Sequence, residues 1–148
     1  MAEFVFRKMA ADGGVSDRVF AASAATSTEE IWNGIGEPIY PPAQAELERH
    51  RIPYDRGKRA TLLRKKDYDE YDLLIGMDSR NMRGMHRICG GDPDGKMHLL
   101  MEYVPGARPG REVADPWYSG NFTAAWNDIK SGCRGLLAYL EEQGLIWK

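Results

Sequence analysis

The stretch Asp115-Pro116-Trp117-Tyr118 places a proton carrier, a rigid turn and two aromatic rings in four consecutive positions. Proline fixes its own φ and biases the preceding residue away from helical geometry, so Asp115 is expected on a loop with Trp117 and Tyr118 beside it. A carboxylic acid against aromatic walls suits protonation of a leaving group. The plainer reading of the same residues is a turn before a helix, because Asp-Pro is ordinary turn chemistry. The other reactive side chains are two thiols, Cys89 and Cys133, far apart in sequence and outside any metal-like cluster. Cys133 falls on the apolar stripe of a helix. Cys89 precedes Gly90-Gly91 at a helix end, where the dipole disfavours a thiolate. Both are read as reduced, structural thiols, with no disulfide framework, no metal site and no cofactor.

The chain has 148 residues, 43% of them hydrophobic, enough for one domain over 1–148 with a substantial core. Twenty basic and 22 acidic residues leave a net charge of -2, so no overall positive field argues for nucleic acid or an anionic membrane. No apolar run approaches the roughly 20 residues that span a bilayer, and the first residues do not resemble a signal peptide. A cytoplasmic location is expected.

The elements that must position these side chains follow from periodicity and punctuation. Ala2 to Ala11 reads as an amphipathic helix stopped by Gly13-Gly14. Arg18 to Ala25 reads as a buried internal strand, residues 28–40 as a loop, and Pro41-Pro42 as the start of a helix to about Arg51. The basic stretch from Gly57 to Lys66 reads as a solvated face. Tyr71 to Met77 is the clearest buried strand, and Asp78 is placed to cap a helix from Ser79 to about Ile88. Asp92-Pro93-Asp94-Gly95 is a turn, followed by strand or extended chain from Met97 to Val104. After Gly120-Asn121 comes a long helix with Phe122, Trp126, Ile129, Cys133, Leu136, Leu137 and Leu140 on one face. Strands alternating with helices indicate an α/β fold: an open, mainly parallel sheet with helices on both faces.

Several ordered blocks together carry a resemblance: Ala2-Glu3-Phe4, Ser23-Ala24-Ala25-Thr26-Ser27, Trp32-Asn33, Ile75-Gly76-Met77-Asp78, Gly91-Asp92-Pro93 and Ala114 through Phe122. They resemble the low-molecular-weight protein-tyrosine phosphatase family over essentially the whole chain. By that resemblance a cysteine thiolate attacks phosphotyrosine or a small aryl phosphate, and Asp115 protonates the departing phenolate and then activates water. Trp32, Asn33, Trp117 and Tyr118 match positions that line the cleft around the phenyl ring. An arsenate reductase of related fold fits the Asp115 block less well. A nucleotide-binding domain lacks its glycine-rich signature.

The sequence also departs from the family. There the first strand and a Cys-x5-Arg-Ser-Pro phosphate loop precede the segment that begins this chain. Neither cysteine here is followed six positions later by arginine: Gly95 and Tyr139 stand there. The expectation is therefore an N-terminally truncated phosphatase domain with the first strand absent. Without thiolate, amide cradle and arginine it should be inactive or nearly so. The alternative is a genuine non-catalytic relative acting as a binding module. The gap in the sheet should expose backbone edges at Arg18–Ala25 and Tyr71–Met77, which favours a homodimer or strand exchange.

Overall fold

The computed structural model describes residues 1–26, 31–32, 35–36, 39–113 and 121–145. Its helices are α1 (Ala2–Asp12), α2 (Pro41–Arg49), α3 (Lys65–Glu70), α4 (Ser79–Cys89) and α5 (Phe122–Glu142). Its strands are β1 (Ile31–Trp32), β2 (Ile35–Gly36), β3 (Leu74–Gly76) and β4 (Met97–Leu99).

β3 and β4 run parallel, with Leu74 opposite Met97, Ile75 opposite His98 and Gly76 opposite Leu99. Because side chains alternate across a strand, β3 feeds two cores. Leu74 joins Met85 and Cys89 of α4, Tyr68 of α3 and Met97 on one face. Leu73, Ile75 and Met77 join the other, with Phe4 and Val5 of α1, Leu47 of α2 and Trp126, Ile129 and Cys133 of α5. Helices therefore cover both faces of the parallel pair, as the alternation of strands and helices foretells.

Asp92 pins the turn into β4. Its carboxylate accepts the Tyr68 hydroxyl at 2.8 Å and the N–H groups of Lys96 at 2.8 Å and Met97 at 3.2 Å. Burial pushes this carboxyl up, but those hydrogen bonds outweigh it and hold the group below its usual range.

Two sequence expectations need correction. Arg18–Ala25 is not a buried strand: its only ladder contact is a parallel bridge from Ala25 to Leu62. Side chains take up its carbonyls instead, the Arg7 guanidinium reaching Ala21 O at 3.0 Å, and no strand lies along residues 19–24 among the described residues. Phe20 is consequently 72% exposed and stacks on Tyr71. The extended chain from Met97 stops at Leu99 and turns into a 3-10 helix over Leu100–Tyr103. Within that turn Leu100 and Met101 are consecutive and both buried in the core that includes Trp126, Ile129 and Cys133 of α5. The basic stretch from Gly57 to Lys66 leaves Arg59, Arg64, Lys65 and Lys66 exposed, as a solvated face requires, and its end enters α3, where Asp67 Oδ2 accepts the Arg64 N–H at 2.9 Å.

The 3-10 turn lies against α5 where that helix has glycines. A Cβ on Gly135 would stand 1.9 Å from the Tyr103 carbonyl oxygen, and one on Gly132 would stand 2.5 Å from Leu100 Cγ. Backbone cannot yield as a flexible side chain does. Gly135→Ala is expected to destabilise the fold by on the order of 3 kcal/mol despite alanine's better helix propensity. Urea denaturation measures it, and an unchanged midpoint would mean that this close approach is not needed.

Candidate active site

The end of β3 holds the chain that leads to the candidate acid. Met77 donates its N–H to Asn81 Oδ1 at 2.9 Å, and Asp78 Oδ1 accepts the Asn81 N–H at 2.8 Å, capping α4. The Met77 carbonyl in turn accepts the Val113 N–H at 2.9 Å. One residue earlier, Glu112 Oε1 accepts the N–H of Ser79 at 2.7 Å, and the Ser79 donors hold the Glu112 carboxyl below its usual range. Arg111 pairs with Asp128 of α5 at 3.0 Å. The segment 111–113 is thus tied to β3, α4 and α5 before it runs on towards Asp115.

On the far side, Asn121 Oδ1 accepts the Ala124 N–H at 2.9 Å and caps α5. Phe122 packs on Tyr40 with ring centroids 5.8 Å apart. Asp115, Trp117, Tyr118 and Asn33 themselves lie outside the described residues. The described residues fix where the stretch 114–120 is entered, at Val113, and where it is left, at Asn121. Trp32 sits in the short antiparallel pair of β1 and β2, opposite Ile35. The segment 28–40 therefore contains paired strands where the sequence suggests only loop.

Both thiols are packing groups. Cys133 is 1% exposed in the middle of α5, with Sγ 3.8 Å from the Ala2 carbonyl oxygen that it faces as donor. Burial pushes its pKa up to about 12. Cys89 is 6% exposed at the end of α4. Burial raises its pKa too, followed by the carboxylates of Asp67, Asp69 and Asp92. Neither has the electropositive, accessible setting that makes a thiol a nucleophile.

A cavity of about 410 Å³ opens between α2 and α5, lined by Pro42, Ala45, Glu46, Arg49, Asn121, Phe122 and Thr123. Its arginine is already committed. Glu46, 2% exposed, accepts Arg49 at 2.5 Å and His50 at 3.0 Å, and His50 stacks on Trp126 with centroids 3.8 Å apart. The only sequence signal for this cluster is the three- and four-residue spacing of Glu46, Arg49 and His50. Among the described residues no group of three or more His, Cys, Asp or Glu side chains could hold a metal ion.

The architecture is that of small phosphatases. The structure superposes on that of YfkJ from Bacillus subtilis with a TM-score of 0.86 at 32% identity, covering 96% of this chain and 86% of that one. SP-PTP, a low molecular weight protein tyrosine phosphatase from Streptococcus pyogenes, gives a TM-score of 0.79 at 30% identity, covering 94% of this chain and 82% of that one. In sequence the chain is 33% identical over 143 residues to the low molecular weight protein-tyrosine-phosphatase YfkJ of Bacillus subtilis, covering 97% of this chain and 88% of the relative. The model of the low molecular weight phosphotyrosine protein phosphatase family matches residues 1–145, and the chain belongs to that family.

The packing of the two thiols sets a direct expectation. In the native chain at about pH 8, neither Cys89 nor Cys133 should react with Ellman's reagent on the time scale of a free thiol, and both should react in guanidinium. A rapidly reacting native thiol would show that one of these helices opens far more readily than its packing implies.

Proposed function

We propose that this chain carries the acid–base and ring-binding parts of phosphotyrosine monoester hydrolysis, and that residues 1–148 alone turn over little or no substrate. The observation that carries the reading is the family match across residues 1–145. Asp115, entered from the tether at Val113, is the general acid that protonates the departing phenolate. As a carboxylate it then takes a proton from the attacking water, since the reverse transfer uses the same group. Trp32, Asn33, Trp117 and Tyr118 wall the phenyl ring, a depth that favours phosphotyrosine over shorter phosphoserine.

What these residues do not supply is a nucleophile. The positions six after Cys89 and Cys133 are Gly95 and Tyr139, and both thiols are buried with raised pKa values. The reading needs no metal or organic cofactor, takes phosphotyrosine proteins or small aryl phosphates as substrates, and places the protein in the cytoplasm. It also favours self-association. The backbone of residues 19–24 has no strand partner among the described residues, and Phe20 stands exposed beside it, so a second copy can add there.

Hydrolysis of p-nitrophenyl phosphate tests the central claim. The 148-residue chain is compared with a longer version in which a strand and a Cys-x5-Arg-Ser-Pro loop precede Met1. Activity is expected only in the longer version, and Asp115→Asn there should lower kcat by about 10²- to 10⁴-fold. Turnover by the 148 residues alone would overturn the claim, and an inactive longer version would make the chain a non-catalytic binding relative. Sedimentation over a range of concentrations tests the second claim: a dimer should appear as concentration rises, and a monomer throughout would refute it.

A further inference from the structure

We propose that the outer face of α4 is a docking strip for acidic residues flanking the phosphotyrosine of a protein substrate, an inference that rests on the phosphotyrosine reading above. α4 carries Arg80, Arg83, His86 and Arg87, all exposed, and no aspartate or glutamate. Every other described helix carries acids: Glu3 and Asp12 in α1, Glu46 and Glu48 in α2, Asp67, Asp69 and Glu70 in α3, and Asp128, Glu141 and Glu142 in α5. In a chain of net charge -2, that is a local concentration of one sign.

The three arginines share a face, because spacings of three and four residues bring helical side chains above one another. The opposite face is fixed inward by the buried Met85 and Cys89, while Gly84 flanks the strip and packs closely on Thr26. Local helix physics explains only part of the strip. Positive charge in the last turn complements the helix dipole, which accounts for His86 and Arg87. Arg80 stands in the first turn, where the dipole opposes a cation, and Arg83 in mid-helix, so the dipole does not account for either. Arg87 donates to the Thr26 carbonyl at 2.9 Å, which holds its guanidinium at the edge of the face. Among the described residues Glu112 lies near the strip, where it accepts the Ser79 N–H and also feels the charge of Arg83.

Position links this face to substrate. α4 begins two residues after Met77, whose carbonyl holds the chain that leads to Asp115, and the strip runs away from that point. Seven residues of helix advance about 10 Å, the length of about three residues of extended peptide. A phosphotyrosine seated beside Asp115 would therefore have neighbours a few positions along its chain opposite Arg80, Arg83 and Arg87. Acidic residues there would gain from all three, while a basic flank would be repelled.

Fluorescence anisotropy with four labelled peptides tests the strip on the 148-residue chain. Each peptide carries phosphotyrosine or tyrosine, flanked by three glutamates or three glutamines. The acidic flank should tighten binding of the phosphopeptide about tenfold at low salt, and salt should erase most of that gain. Arg83→Glu should remove most of the preference and Arg83→Gln about half, with circular dichroism confirming that both fold. Comparing phosphotyrosine with tyrosine in the glutamine series reports the phosphate contribution, and a fifth, glutamine-flanked phosphoserine peptide reports the ring site separately, so that site can fail while the strip stands. Equal binding of acidic and neutral flanks, including no binding of either, would overturn the proposal. So would a preference that survives Arg83→Glu, one confined to the unphosphorylated peptides, or equal competition by duplex DNA.

Discussion

The site depends on the junction at Met77 and Asp78, where β3 gives way to α4. Three pieces of chain meet in a few hydrogen bonds: Asn81 answers the Met77 N–H, Asp78 caps the helix, and the Met77 carbonyl takes the Val113 N–H. A strand end leaves backbone groups without ladder partners, and a helix start leaves N–H groups without acceptors. Here each deficit is met by the other pieces, so the geometry is set by backbone satisfaction as well as by apolar packing. The segment 111–113 takes its position from this anchor.

Two buried carboxylates hold what the sheet does not. Glu3 is 7% exposed and receives the Ser23 hydroxyl at 2.7 Å, with Arg7 and Lys58 each at 3.3 Å. It joins α1 to the extended segment before Ala25 and to the loop after Tyr54. Glu46 is met within α2 and its cap by Arg49 and His50, and the link to α5 comes from His50 stacking on Trp126. An ion removed from water recovers its hydration only through such partners, so each carboxylate penalises arrangements in which its cations are elsewhere. The segment 18–25 is placed by side-chain contacts of this kind in the absence of a strand ladder.

What could be read in the sequence is what local rules decide. The stripe on α5 is found where periodicity puts it, with Trp126, Ile129, Cys133 and Leu136 buried, and Asp78 caps α4 as its position before Ser79 implies. Arg18–Ala25 could not be read in this way. A run of small and apolar residues is equally compatible with a central strand and with extended chain, and the choice belongs to whatever lies beside it. The same holds for Leu100–Tyr103, where glycines some thirty residues later in α5 admit the turn. At the site, the block around Asp115 is visible as chemistry, while Glu112 and Asn81 are not. Glu112 works across the fold, meeting a backbone N–H 33 residues away, and Asn81 works locally on the Met77 N–H, a bond its residue type alone does not announce.

The fate of the sulfur atoms shows why acid and nucleophile place different demands on the fold. With a pKa of about 12, Cys133 is ionised to about one part in 10⁵ at neutral pH, so its thiolate is already far too scarce to drive substitution at phosphorus. Its neighbours in α5 spend their N–H groups on the helix, and none is left to receive a phosphoryl oxygen. Cys89 stands at the wrong end of α4, where carbonyls point outward and acids lie nearby. A carboxylic acid is less demanding: it needs reach, a neighbouring anchor and some shelter from water. A thiolate requires in addition a concave ring of donors and a cation, which must be built by a turn leading into a helix N-terminus. In both cysteines the sulfur is spent on filling the core, and that use excludes the other.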